Sequence, residues 1–308
     1  DSLDEWAEFF AGKYVPVGRL IAPEPGTGSK DEKKQDAEEK QDAEEKPSDK
    51  KDDADEEKTR LRLAMQDTIK AVIFDIGGVV VKSPFIAISQ YERENGLPAN
   101  YINVALSKHG SDGAFQQYER GEISHEQFID QWTDELNDTE ANNRAYRRYL
   151  ARRKLDVHMV LPRKTRINGS VVFARMMEIS ATPNHCIVDL VRWLRRNGYR
   201  VAALTNNFNN DATSGKMRDE VLAPLFDAFF ESTVVGLRKP DPRFYIHACN
   251  SLEVRPSEVV FLDDIPANLR AADALGMAAV SVSIGNEDRA VEAVKRILRS
   301  RGLKSANL

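Results

Sequence analysis

The fold of this chain can be worked out starting from one stretch, AVIFDIGGVVV at residues 71–81. Its first four residues form an apolar run of the kind that fills a buried strand, and Asp75 follows directly, ahead of Gly77 and Gly78. A glycine pair allows backbone amides to approach an anion closely. The stretch therefore predicts a buried strand that ends in a carboxylate beside an anion-binding loop.

Three later segments also place polar side chains directly after, or close to, predicted strands: AALTNN (202–207), GLRKPDPRFY (236–245) and VVFLDDIPAN (259–268). They supply Thr205, Asn206, Lys239 and the acid pair Asp263 and Asp264. An open parallel sheet binds its ligands beyond the carboxyl ends of its strands. Adjacent acids repel one another unless a cation lies nearby, and oxygen ligands suit Mg²⁺. Together the segments predict a site that binds Mg²⁺ and transfers a phosphoryl group.

From Ile69 onward, short apolar runs alternate with helical periodicity. Strands are predicted to continue at 199–205, 228–235, 259–263 and 278–282. Such alternation predicts an α/β fold with a doubly wound parallel sheet, Rossmann-like in architecture. About a hundred residues without strand alternation lie between the first strand and the helix near His185, too many for an ordinary connection. They predict an inserted α-helical cap, with helices at 86–95, 107–117, 124–136 and 144–153.

The predicted domain organisation is an N-terminal segment at 1–68, a core made of 69–83 and 184–303, and a helical cap at 84–183. Residues 30–58 hold fourteen acids against eight lysines and no aromatic residue. Such a composition cannot bury enough surface to offset its ordering entropy, which predicts a disordered charged linker. A transient solvated helix is the alternative.

The chain is predicted to be cytoplasmic and not to enter a membrane, because no apolar run approaches the roughly 20 residues that span a bilayer. The alternative is a peroxisomal location. The last three residues, Ala306-Asn307-Leu308, share a small first residue and a terminal leucine with the Ser-Lys-Leu type of import signal, although Asn307 replaces the usual basic residue.

The motifs resemble those of the haloacid dehalogenase-like hydrolase superfamily. The resemblance covers about residues 69–300 and rests on five segments: FDIGGVV, GEISHEQF, ALTNNF, GLRKPDPRFY and FLDDIPANLRAADALGM. Within the superfamily, the chain is most similar to the phosphatase-type N-terminal domains of soluble epoxide hydrolases and of acyl-CoA dehydrogenase fusion proteins. The resemblance implies that Asp75 is the nucleophile and that Asp75 and the carbonyl of Gly77 bind Mg²⁺.

The resemblance also implies roles for the later segments. Thr205, Asn206 and Lys239 would bind the phosphate of a small phosphorylated substrate. Asp264 would ligate the metal, with Asp263 supporting it from behind. Asn268 would orient the groups nearby and contact the substrate.

One residue departs from the pattern of the superfamily. Its active phosphatases usually carry a second Asp two residues after the nucleophile, as general acid and base, whereas this chain has Gly77. General acid–base catalysis contributes roughly 10²- to 10⁴-fold. Two functions therefore stay open: an Mg²⁺-dependent phosphomonoester hydrolase that forms an aspartyl phosphate, and a phosphate-binding or scaffold protein without turnover. Dehalogenase activity is less favoured, because the loop lacks the aromatic residue that usually follows the nucleophile.

The cap contains a basic segment at 144–166, with nine Arg and Lys against the single Asp156. A solvated basic helix is the simplest interpretation. The segment could also steer an anionic substrate, or contact an acidic partner such as the chain's own linker. Nucleic acid is not a predicted partner, since Tyr146 and Tyr149 alone offer few rings for stacking.

Overall fold

The computed structural model describes residues 67–208 and 221–302. The predicted linker at 30–58 and the tripeptide Ala306-Asn307-Leu308 lie outside these residues, so both interpretations stay predictions. Among the helices of the two described ranges, none has the length and apolar character needed to cross a membrane.

A parallel sheet lies at the centre of the described structure, with its five strands in the order β3-β2-β1-β4-β5. The strands are β1 (Ala71–Phe74), β2 (Arg200–Thr205), β3 (Ala228–Glu231), β4 (Val259–Asp263) and β5 (Ala278–Ser281). The chain extends the sheet first to one side of β1 and then to the other, so β1 and β4 meet where the strand order reverses. The predicted doubly wound parallel sheet is confirmed, and a ligand crevice is expected at this reversal.

Helices connect the strands and cover the sheet. In the described residues they are α1 (Phe85–Glu94), α2 (Tyr101–Ser107), α3 (Ala114–Glu119), α4 (His125–Asn137), α5 (Thr139–Arg152), α6 (Gly169–Ser180), α7 (His185–Arg196), α8 (Ser232–Val235), α9 (Pro242–Ser251), α10 (Pro266–Ala274) and α11 (Glu287–Arg301).

The central strands are apolar at nearly every position because helices pack on both faces of the sheet. Successive side chains of a strand point to opposite faces. Val72 and Phe74 of β1 accordingly pack in a core with α7 and α11. Ala71 and Ile73 pack in a second core with α9 and α10.

The insertion between β1 and α7 consists of α1–α6 and forms the predicted helical cap. Its core is aromatic: Phe128 stacks on Tyr118 with a centroid distance of 4.4 Å and on Trp132 with one of 5.2 Å. Helix α4 begins with a capping box, in which Ser124 and Gln127 exchange backbone and side-chain hydrogen bonds. The domain boundaries stay a prediction.

Two predicted elements are wrong in part. The predicted helix at 107–117 is interrupted, because α2 ends at Ser107 and a turn with Gly110 at a φ of 57° precedes α3. The predicted strand at 228–235 stops at Glu231, and its second half is the short helix α8. Ser232 begins this helix, because its hydroxyl accepts the N–H of Asn207 (2.9 Å) and donates to a cap carbonyl instead of continuing the strand.

Helices α2 and α6 are not predicted from the sequence. All seven residues of α2 are buried, so the helix has no polar face and no periodicity to detect. Helix α6 contains Val171 and Val172, and β-branched residues favour strands. Helix α5 begins earlier than predicted, because Asp138 accepts the N–H of Ala141 (3.1 Å) and caps its N-terminus.

Candidate active site

The carboxyl ends of β1, β2 and β4 bring the predicted site residues together. Asp75 follows β1, and its N–H donates to the carbonyl oxygen of Leu262 on β4 (2.8 Å). Thr205 is the last residue of β2, and Asp263 is the last residue of β4. All three side chains are buried, and a buried polar group needs a hydrogen-bond or ion-pair partner. Their partners therefore show how the site is held together.

Lys239 is the cation at the centre of the site and is 1% exposed. Its Nζ lies 2.7 Å from Oδ1 of Asp75 and 2.7 Å from Oδ2 of Asp263. Burial lowers the pKa of Lys239, but Asp263 and Asp75 outweigh burial and raise this pKa overall, so the ammonium stays charged. One ammonium thus bridges the ends of β1 and β4.

Asn206 holds the backbone of Lys239 in place. Its side-chain oxygen accepts the N–H of Lys239 (2.8 Å), and its amide donates to the carbonyl of Lys239 (3.0 Å). The side chain that was predicted to hold phosphate is thus engaged in positioning the lysine. A contact between Asn206 and substrate stays a prediction.

Asp263 is held from several sides. Besides Lys239, its carboxylate accepts the backbone N–H of Ile265 (2.7 Å) and the side-chain amide of Asn268 (3.0 Å). These bonds fix the direction of the carboxylate. Asn268 therefore acts on Asp263 in this structure, and its predicted contact with substrate is not tested.

Asp264 packs against the loop that follows β1. Gly78 in this loop has a φ of 87°, and a Cβ at this position would lie 2.3 Å from Oδ2 of Asp264. The N–H of Gly78, which was predicted to face an anion, donates to the carbonyl of Val81 (2.9 Å). Glycine is needed here because it allows Asp264 to come close.

The two neighbouring glycines predict different effects of alanine. Gly78→Ala is expected to displace Asp264 and weaken Mg²⁺ binding at least tenfold, since the methyl overlaps the carboxylate and the left-handed backbone alone costs roughly 1–2 kcal/mol. Gly77→Ala is the matched control, because its Cβ would meet Pro84 at an ordinary 3.5 Å. Thermal unfolding and calorimetric Mg²⁺ titration would measure both variants. Equal Mg²⁺ affinities would contradict the steric role of Gly78.

The donor set fits a divalent cation. Asp75, Asp263 and Asp264 each offer a carboxylate oxygen, and these atoms lie within 4.8 Å of one another. Burial raises the pKa of Asp75 to about 8, with Lys239 opposing this shift and the two other acids adding to it. Only Asp75 and Asp263 of the three acids contact the ammonium of Lys239, and carboxylate oxygens of this kind suit Mg²⁺. Whether Gly77 adds its carbonyl stays a prediction.

The raised pKa of Asp75 predicts that Mg²⁺ binding releases a proton. Below about pH 8 the carboxyl carries a proton that the cation must displace. The apparent Mg²⁺ affinity is therefore expected to rise by up to about tenfold per pH unit until pH 8 and to level off above it. Calorimetry in two buffers of different ionisation enthalpy would count the protons. An affinity that does not change with pH would disprove this linkage.

A cavity of about 700 Å³ lies over the site, between the cap and the core. Asp75, Thr205 and Lys239 form its polar end. Much of the remaining wall is apolar and includes Phe85, Phe115, Ile129, Phe173, Met177 and Phe208. The cavity thus joins a charged end to an apolar compartment.

Several polar cap residues in the cavity wall were not predicted, among them Glu119 and His125. Glu119 of α3 is buried and forms an ion pair with Arg238, whose Nε and Nη2 lie 2.8 and 2.6 Å from one carboxylate oxygen. His125 of α4 lies 3.1 Å from the hydroxyl of Tyr118. Both lie in or near the GEISHEQF segment, but no spacing in the sequence points from Glu119 to Arg238, the core residue with which it pairs.

The basic segment at 144–166 does not line this cavity. Arg144 and Arg148 lie on the exposed side of α5, and the rings of Tyr146 and Tyr149 are buried on its opposite side. Steering of an anion and binding of an acidic partner stay predictions for this segment.

The chain matches the family model described as haloacid dehalogenase-like hydrolase over residues 69–276, more than half of its length. It is 29% identical over 229 residues to acyl-CoA dehydrogenase family member 10 of Mus musculus, covering 74% of this chain and 19% of the relative. It is 28% identical over 219 residues to bifunctional epoxide hydrolase 2 of Sus scrofa, covering 70% of this chain and 36% of the relative. The chain thus spans only about a fifth and about a third of the length of these curated relatives.

A third relative is similar over most of its own length. Sesquiterpene phosphatase of Aspergillus oryzae is 26% identical over 214 residues, which cover 68% of this chain and 88% of the relative. The family match includes β1 to α10 and every acid of the cluster, together with Thr205 and Lys239. The chain belongs to the haloacid dehalogenase-like hydrolase family.

Proposed function

We propose that this chain is an Mg²⁺-dependent phosphomonoester hydrolase that forms an aspartyl phosphate. The position of Asp75 carries the proposal. Its carboxylate lies at the polar end of the cavity, 2.7 Å from the ammonium of Lys239 and within 4.8 Å of two further acids. A carboxylate in this position can attack phosphorus while a fixed positive charge stabilises the phosphoryl oxygens.

In the proposed reaction, an oxygen of Asp75 bonds to phosphorus as the bond between phosphorus and the ester oxygen breaks. The leaving alcohol takes up a proton. Water then attacks phosphorus, which restores the carboxylate and releases phosphate and a proton. Lys239 and the hydroxyl of Thr205 donate to the phosphoryl oxygens. Mg²⁺ held by Asp75, Asp264 and the carbonyl of Gly77 would add positive charge beside them.

Because Gly77 has no side chain that could act as a general acid, the rate of hydrolysis is expected to depend strongly on the leaving group. Without an acid at this position, p-nitrophenyl phosphate is expected to react faster than an alkyl phosphate, because its leaving group needs little protonation. Gly77→Asp is expected to raise kcat on the alkyl ester by on the order of 10²-fold and to change the activated ester little. A Cβ at this position would lie at an ordinary 3.5 Å from Pro84. Gly77→Asn is the control, and an equal gain from it would contradict an acid role.

The walls of the cavity favour a substrate whose alcohol part is apolar. Phe115, Phe173 and Met177 would cover such a group, and each buried methylene contributes about 0.8 kcal/mol. These three side chains offer no hydrogen bonds to the hydroxyl groups of a sugar phosphate, whose partners would have to be polar wall residues such as Glu119 and His125. One relative is named a sesquiterpene phosphatase, which agrees with an apolar alcohol.

A phosphate-binding protein without turnover is the second candidate, and Gly77 is the observation that favours it. A panel of phosphomonoesters decides between the two, assayed for phosphate release with Mg²⁺ and with Mg²⁺ removed by a chelator. Release that requires both Mg²⁺ and Asp75 supports the hydrolase. Binding of inorganic phosphate without release from any ester would establish the binding protein instead.

A further inference from the structure

Phe208 is a core residue whose ring lies among the rings of the cap. It follows β2 by three residues and lines the cavity. Its ring stacks on Tyr118 with a centroid distance of 5.4 Å and an interplanar angle of 18°. It meets Phe115 and Phe173 edge-on, at centroid distances of 5.2 and 5.4 Å. Core and cap therefore meet in an aromatic contact at the apolar end of the cavity.

Tyr118 lies directly behind the ring of Phe208. Tyr118 is completely buried and does not line the cavity, whereas Phe115, Phe173 and Phe208 do. Tyr118 also stacks with Phe128, at a centroid distance of 4.4 Å. The ring of Phe208 is thus one of the groups that separate the cavity from the aromatic stack of the cap.

Polar contacts hold the backbone of this loop independently of the ring. The N–H of Phe208 donates to the side chain of Asn207 (2.8 Å), and the N–H of Asn207 donates to the hydroxyl of Ser232 (2.9 Å). One residue earlier, Asn206 is bound to the backbone of Lys239. A smaller side chain at 208 is therefore expected to leave the phosphate end of the site in place.

We propose that Phe208 closes the apolar end of the cavity and so limits the size of the apolar group that the site accepts. This inference rests on the proposed hydrolysis of phosphomonoesters with an apolar alcohol. Removing the ring opens the cavity toward Tyr118 and makes room for further methylene groups. Each methylene that becomes buried is worth about fourfold in kcat/KM.

The test compares n-alkyl phosphates from butyl to hexadecyl phosphate on the wild type and on three variants. Phe208→Ala is expected to move the best chain length to longer esters, Phe208→Leu to move it less, and Phe208→Trp to move it to shorter esters. Inhibition by inorganic phosphate, which has no alkyl chain, is expected to stay the same in all of them. Thermal unfolding checks that each variant is folded.

Two results would overturn the inference. One is an unchanged best chain length with a uniform loss of activity, which would make Phe208 only a packing contact between cap and core. The other is altered inhibition by inorganic phosphate, which would place its effect at the polar end. If Phe208→Ala does not fold, the leucine and tryptophan variants decide. Binding of n-alkyl phosphonates, which have no ester bond to break, tests the same length dependence even if the wild type hydrolyses no ester and the proposed function fails.

Discussion

Asp75→Asn is expected to lower phosphate release from p-nitrophenyl phosphate by at least about 10⁴-fold, to the level of buffer. Asparagine has nearly the same size, but its neutral amide is not a nucleophile toward phosphorus. Lys239 keeps its bond to Asp263 (2.7 Å), so the site is expected to keep its shape. A phosphate-release assay gives the rate. Mass spectrometry after acid quenching is expected to find a phosphorylated peptide containing residue 75 in the wild type and none in the variant.

Asp189→Asn is the matched control for this change. Asp189 lies on α7 with 73% of its side chain exposed, and it pairs with Arg192 on the same helix. The same loss of a carboxylate there is expected to leave the rate unaltered. Equal rates for the wild type and Asp75→Asn would show that Asp75 is not the nucleophile, whatever the rate of Asp189→Asn.

The parts of the site that could be predicted are those that depend on strand ends. Val259–Asp263 is apolar until its last residue because both faces of the sheet are covered, so Asp263 marks the strand end directly. The same reasoning placed Asp75 and Thr205 at the edge of the sheet. In each case the position of the residue in the fold follows from a few neighbouring residues.

The parts that could not be predicted depend on contacts between distant segments or on the direction of one hydrogen bond. Glu119 and Arg238 meet only because the cap folds over the crevice, and neither has a local signal for the other. Asn206 has the residue type that binds phosphate, but its amide turns to the backbone of Lys239. Likewise, β3 stops at Glu231 because of a hydroxyl bond from the next residue, which the run of apolar residues does not reveal.

Lys239→Met is expected to cause the largest loss of stability among the site variants. Methionine retains most of the apolar length of the side chain but leaves Asp75 and Asp263 buried without the ammonium that lies 2.7 Å from each. Removing one partner of a buried ion pair costs about 3–5 kcal/mol. In a domain of this size that lowers Tm by on the order of 10 °C. Thermal unfolding followed by circular dichroism would measure the loss.

The dependence of this loss on pH and on Mg²⁺ tests its electrostatic origin. Without the ammonium, protonation neutralises the buried carboxylates, so the loss is expected to shrink as the pH falls and to grow as the pH rises. Mg²⁺ is expected to restore part of the stability, because a divalent cation can replace the missing positive charge among the acids. Lys295→Met is the matched control: Lys295 pairs with Glu292 at 3.0 Å on the exposed face of α11, where such pairs contribute little. A loss of Tm in Lys239→Met that is independent of both pH and Mg²⁺ would show that the lysine supports packing and not the charge balance of the site.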